Sequence, residues 1–192
     1  MAGDLVANPG EVHDDALEVI DFWFGEVPED KWFARDDALD AAIADRFARV
    51  RDGIVASRAE GWRGDPETLL AAVIVLDQFS RNLFRGQAEA FAADPLALDL
   101  TRMAISKGWD RSVPPEQRAF LYMPLMHAED EEAQAESVAC FTALGNANNL
   151  KYARDHADAI ARFGRFPGRN AALGRVSTDD ETAFLASGQG DW

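Results

Sequence analysis

One stretch limits the folds open to this chain more than any other: Leu69 to Arg85, LLAAVIVLDQFSRNLFR. Its first half is apolar on every side, the pattern of a helix buried all round. Its second half places Asp77, Gln78, Arg81, Asn82 and Arg85 on the same helix. Asp77, Arg81 and Arg85 are spaced i, i+4, i+8, which puts them on one face. Charges that follow directly on a buried segment need partners, because an unpaired buried charge is very costly. A helix of this kind has to be wrapped by others, so the rest of the chain is read for what wraps it.

Residues 1–12, with Gly3, Pro9 and Gly10, read as a flexible tail, and residues 187–192 as a frayed one. Between them, 13–186 read as a single helical domain. A first helix is expected over about 13–24, where Leu17, Ile20 and Phe24 share a side. A second runs from Asp36 or Asp37 to about Ser57, with Leu39, Ile43, Phe47, Val50 and Ile54 at helical spacing. Asp65-Pro66 reads as an N-cap with proline at the first helical position, and Asp94-Pro95 repeats the signal. Pro114-Pro115 opens a short helix that Pro124 breaks or kinks. The acids Glu129 to Glu132 favour another helix start, ending near Gly145. Further helices are expected over about 147–163, at Pro167, and over about 178–185. No segment alternates with period two, and nothing recurs at a fixed spacing of 20–50 residues. The fold class is therefore all-α: about eight or nine helices in antiparallel hairpins.

Charge narrows the partners. The chain carries a formal net charge of −15, which repels the phosphates of nucleic acid and the anionic lipid of a membrane surface. Its apolar runs fall short of the ~20 residues a membrane span requires. The first fifteen residues show neither the basic nor the apolar region of a signal peptide. Cys140 is the only cysteine, which excludes an intrachain disulfide and a cysteine-based zinc site, so a reducing cytoplasm is the expected setting.

Within this acidic chain two stretches carry arginine and no acid: Gln78 to Ala88, with Arg81 and Arg85, and Arg162 to Arg175, with Arg162, Arg165, Arg169 and Arg175. Arginine suits buried, bidentate pairing with carboxylate or phosphate. The familiar catalytic signatures GxGxxG, P-loop, HExxH and GxSxG are absent. His127-Ala128-Glu129 has the HxE form of zinc deaminases but lacks the PCxxC partner. No candidate stretch contains a lysine, which argues against a pyridoxal Schiff base. No metal and no cofactor is expected.

Four stretches remain. Asp77 to Arg85 is either an internal ion pair, Asp77 with Arg81, or the floor of a polar pocket in which Arg81 or Arg85 faces an anion. In Leu121 to Asp130, LYMPLMHAED, the i, i+3 spacing lets His127 meet Asp130, and His127 oriented by Asp130 or Glu129 is a candidate general base. The other reading there is a helix-capping acid run beside a hydrogen-bonded histidine. His156 shares an apolar face with Tyr152, Ile160 and Phe163 and reads as a core histidine. In RFGRFPGRNAALGRVST, Arg162, Arg165, Arg169 and Asn170 either receive an anion or pair with the surplus carboxylates and lock this segment onto the bundle.

The strings LDQFSRNLFRG, AFAADPLAL, LYMPLMHAED and RFGRFPGRNAALGR resemble a bacterial family of uncharacterised proteins, the domain of unknown function 924. The resemblance runs from VIDFWFG through about Leu185. It implies an all-helical fold similar to tetratricopeptide-repeat proteins, with no established activity. The family's signature positions coincide with Asp77, Gln78, Arg81, Asn82 and Arg85, with His127, Glu129 and Asp130, and with Arg162, Arg165, Arg169 and Asn170. One position departs: the family commonly reads FPHRN where this chain has Phe166-Pro167-Gly168-Arg169-Asn170. The leading expectation is a binding protein with one arginine-rich polar pocket for a small anionic ligand or an acidic peptide end. The alternatives are an enzyme with His127 as general base on a carboxylate or phosphate substrate, and a scaffold that binds other proteins.

Overall fold

The computed structural model describes residues 9–190, and every described element is helical. Ten α-helical segments run in order: α1 (Pro9–Asp21), α2 (Asp37–Ser57), α3 (Pro66–Ile74), α4 (Ser80–Leu83), α5 (Glu89–Ala92), α6 (Asp94–Lys107), α7 (Pro115–Met126), α8 (Glu131–Leu144), α9 (Ala147–Phe163) and α10 (Asp179–Ala186). A π-helical turn, Val75–Phe79, joins α3 to α4 without a break, and α5 is a single turn. Counted as rods, these make the eight helices of an all-α fold.

The helix starts follow side-chain chemistry. Asp36 accepts from the backbone N–H groups of Ala38 and Leu39, Asp130 from Ala133, and Asn146 from Asn148 and Asn149. Thr178 and Glu181 close a reciprocal capping box at α10. Asp65 accepts from the N–H groups of Glu67 and Thr68 at 3.0 Å each and from the Thr68 hydroxyl at 2.8 Å. Because Asp65 holds the entry to the central helix, Asp65→Ala should cost about 1–2 kcal/mol. Thermal melts check this: Asp65→Asn, which keeps the acceptor, should recover most of the loss, and equal melting of both variants would refute the capping role.

Two expected boundaries move. The tail expected over 1–12 gives way to helix at Pro9, because Val12, Ala16 and Val19 form a buried stripe that continues α1 toward the N-terminus. Residues 1–8 lie outside the described residues. At the other end, residues expected to fray bring Gly190 into a buried position against Gly168, and 191–192 lie outside the described residues. Pro124 sits inside α7 without ending it, since its missing N–H removes one rung and the helix runs on to Met126.

The core gathers around α3. Leu69 through Leu76 are all buried, as an apolar surface on every side demands. α1 and α7 pack on α3, α6 crosses it, and α7, α8 and α9 follow one another as packed neighbours joined by short turns. A second π-helical turn, Phe22–Glu26, extends α1. The two π turns meet through aromatic edges: Trp23 lies 5.4 Å from Phe79 and 5.7 Å from Phe120, and Phe22 and Phe79 both pack on Phe47 at 5.0 Å. Such contacts add directional preference to a large buried area. They fix the rotation of the central helix at the point where it turns from apolar to charged.

Candidate functional site

The π turn carries Asp77 and Gln78, and single π turns inside α-helices occur frequently at functional sites. Asp77 is fully buried. One carboxylate oxygen, Oδ1, lies 2.7 Å from Nδ1 of His127, at the end of α7 and 50 positions along the chain, and 3.2 Å from Nη1 of Arg81. The other, Oδ2, accepts from the Gln78 amide at 2.5 Å. Burial by itself would raise the Asp77 carboxyl. The Arg81 charge and the His127 contact outweigh it and hold the carboxyl well below the usual carboxylate range. For His127, burial is the largest influence and lowers its pKa, Asp77 opposes this, and the net shift is downward, leaving a neutral imidazole near pH 7.

An ionised carboxylate only accepts hydrogen bonds, so Nδ1 of His127 must carry the proton and donate it to Asp77. Nε2 then holds the lone pair. The His127 side chain keeps 16% of its surface exposed, and its ring bonds to Asp77 through Nδ1, not Nε2. This pairing replaces the expected one. Asp130 spends its carboxylate capping α8, and Glu129 pairs with Arg175 at 2.7 and 2.8 Å while accepting the Phe166 N–H. The acids beside His127 in sequence are drawn to a helix end and a guanidinium; the acid that orients it comes from the central helix.

Two arginines close the cluster, and Asp94 holds them. Arg81 makes a bidentate pair with Asp94 at 3.1 Å and donates to the Asp77 carbonyl at 2.6 Å. Arg169 donates to the same Asp94 carboxylate at 3.1 Å and to the His127 carbonyl at 2.8 Å. Its guanidinium lies between the rings of Phe91 and Phe166, at 4.6 and 4.8 Å. The sequence signal at Asp94-Pro95 assigns Asp94 to a cap, yet Asp94 is already the first residue of α6 and makes no capping bond. Its charge is used on the arginines. The structure thus brings together Asp77, Gln78, Arg81, His127 and Arg169 from the expected residues, and adds Asp94.

The other expected residues go elsewhere. Arg85 forms a bidentate pair with Asp40 of α2 at 2.7 and 2.8 Å, and Asn82 donates to the same carboxylate. The i, i+8 argument fails here because α4 ends at Leu83 and the chain turns through Gly86 at φ +77°, so Arg85 stands beyond the helix. Arg165 pairs with Glu181 of α10 at 2.6 and 2.8 Å, and Asn170 donates to Ser177 and Glu181. Arg162 lies over Phe163 and Phe184. Arg81 and Arg169 share Asp94, Arg85 and Arg165 have carboxylates of their own, and Arg162 stacks on aromatic rings, so the arginines do not form one cationic wall.

His156 is buried behind the cluster, bonded through Nδ1 to the Tyr152 carbonyl at 2.8 Å, with its ring 6.0 Å from that of His127. Burial, with His127 adding to it, pushes it down to about 3, so it too is neutral. Among the described residues no group of three His, Cys, Asp or Glu side chains is placed to hold a metal ion. No described helix is long and apolar enough to cross a membrane.

A family model described as a bacterial protein of unknown function, DUF924, matches residues 19–189. The chain belongs to this family. A solved structure, that of the protein of unknown function ATU0120 from Agrobacterium tumefaciens, is 39% identical, with a TM-score of 0.87 over 92% of this chain and 99% of that one. No curated protein matches the chain. Against the DUF924 resemblance, Gly168 stands where histidine is expected. A Cβ at Gly168 would lie 2.7 Å from the Gly190 carbonyl oxygen, so the C-terminal backbone occupies the space a side chain needs in this DUF924 protein.

Proposed function

We propose that this DUF924 protein is an enzyme acting on a small substrate, with the neutral imidazole of His127 as its general base. The 2.7 Å contact between His127 and a fully buried carboxylate carries the reading. Asp77 fixes the tautomer and ring orientation, and stabilises the imidazolium once Nε2 has taken a proton. Gln78 and Arg81 hold Asp77 in turn. Asp77 and Asp94 balance Arg81 and Arg169, so the cluster is neutral at rest. It becomes cationic only when His127 is protonated, as negative charge develops on the substrate beside it. That balance favours catalysis over the capture of an anion, because the guanidiniums already carry carboxylates.

The tautomer is the direct test. Nitrogen-15 imidazole spectra at about pH 7 should show His127 neutral, with the proton on Nδ1 and a bare Nε2. A proton on Nε2, or an imidazolium, would remove the base. Once a substrate class is found by screening small esters, amides and carbon acids, His127→Gln should lower turnover by about 10²-fold or more with the fold intact.

A further inference from the structure

Resting on the general-base reading, a question of access follows, since a base buried this far must be reached. Two surface hollows, of about 210 and 370 Å³, are lined by other residues: one by Val55, Arg58 and Leu96, the other by Arg162, Arg165 and Glu181. Neither touches His127 or Asp77. The segment after α9 reaches His127 through Arg169, which donates to the His127 carbonyl at 2.8 Å, and the His127 side chain keeps only 16% of its surface exposed.

We propose that residues 164–190 form a cap that lifts from the body of the protein to admit substrate to Nε2 of His127. Away from its polar contacts, the cap is joined to the end of α9 by a small apolar cluster of its own. Phe166 belongs to a small cluster with Ala159 and Ile160, supported by Phe163 and Phe184, apart from the main core around α3. The cap is braced internally by Glu181, which receives Arg165, the Asn170 amide and the Thr178 N–H. It is therefore built to move as a unit.

Its attachment to α6 and α7 is polar. Arg169 bridges to Asp94 and to the His127 carbonyl. Arg175 and the Phe166 N–H both engage Glu129. Phe166 adds an edge contact to His156 at 5.4 Å, and Phe91 lies under Arg169. Regions held by charge-assisted bonds and few apolar contacts open below the free energy of global unfolding. Gly164, at φ +67°, supplies the left-handed turn from which the cap leaves α9. Lifting the cap removes Arg169 from the cluster, so closure over a substrate also restores the charge balance around His127.

Hydrogen exchange on the 192-residue chain, followed peptide by peptide, tests the motion without any substrate. Amides of 164–190 should exchange faster than those of α3. Raising NaCl from about 0.05 to about 1 M should speed them further by screening the latch. Glu129→Gln should speed them about tenfold, the effect of removing one charge-assisted pair. Arg175→Gln breaks the same pair from the cap side, in case the first variant misfolds. Carbethoxylation of His127 by diethyl pyrocarbonate should rise in step with cap exchange. Exchange of the cap only at the rate of α3, or His127 reactivity that stays constant while the cap loosens, would overturn the proposal. The exchange outcome is independent of the His127 tautomer, so it tests the cap separately from the base.

Discussion

Replacing Asp77 with alanine should lower the melting temperature by on the order of 10 °C, from a loss of about 3–5 kcal/mol. Asp77 is fully buried and its oxygens serve His127, Arg81 and Gln78 together. Alanine removes all three contacts and leaves the buried cluster with two guanidiniums against the single carboxylate of Asp94. Breaking one side of a buried pair costs far more than an exposed pair is worth, because the remaining charge cannot be solvated. Asp77→Asn separates the structural part from the chemical part. It preserves volume and an acceptor for the Nδ1–H, so it should melt well above the alanine variant. It removes the negative charge that raises the His127 pKa, so that pKa should fall further. Under the general-base reading turnover then drops by about 10²-fold or more while much of the stability returns. An alanine variant that melts within about 2 °C of the wild type would refute the account of a buried, mutually dependent cluster.

The dependence of the cluster on residues far apart in sequence also explains what the sequence did and did not disclose. Helix starts were legible because their causes are local: Asp36, Asp65 and Asp130 each serve an N–H two or three residues ahead. Gly108, Gly145 and Gly164 end helices at positive φ for a similarly local reason. Asp94 shows the limit. It carries the same Asp-Pro signature as Asp65, yet one acid caps and the other joins two arginines, because the outcome depends on whether a guanidinium arrives from another helix. His127 was legible as a candidate, but its partner was sought three residues away and came from 50 positions upstream. Spacing groups Arg85 with Arg81, but the helix ends at Leu83, two residues short of Arg85, and separates them. The π turn that presents Asp77 and Gln78 has no signature in the residues that form it.

Mild acid should destabilise this protein well before its carboxylates titrate. His156 is buried and neutral, with its pKa pushed down to about 3, and His127 is lowered as well. In the unfolded chain both return to about 6.5. Between that value and the folded pKa, the unfolded state binds protons that the folded state refuses, so stability falls as pH falls, by up to roughly 1.4 kcal/mol per pH unit for each such histidine. By about pH 4.5 His156 alone removes roughly 2–3 kcal/mol. The depressed Asp77 carboxyl acts in the same direction at lower pH, where its contribution is lost as pH drops through the carboxylate range and below. Urea midpoints measured at intervals from about pH 7 to about pH 4.5 should therefore decline from near 6.5 downward, and His156→Leu should flatten the decline by up to one proton's worth of slope. A plateau across that range would refute the assignment of buried neutral histidines. The same titration bears on function, because a general base at His127 needs Nε2 unprotonated: its pKa, held below the ordinary histidine value by burial, keeps the base available at pH values where the fold itself is already losing stability to His156.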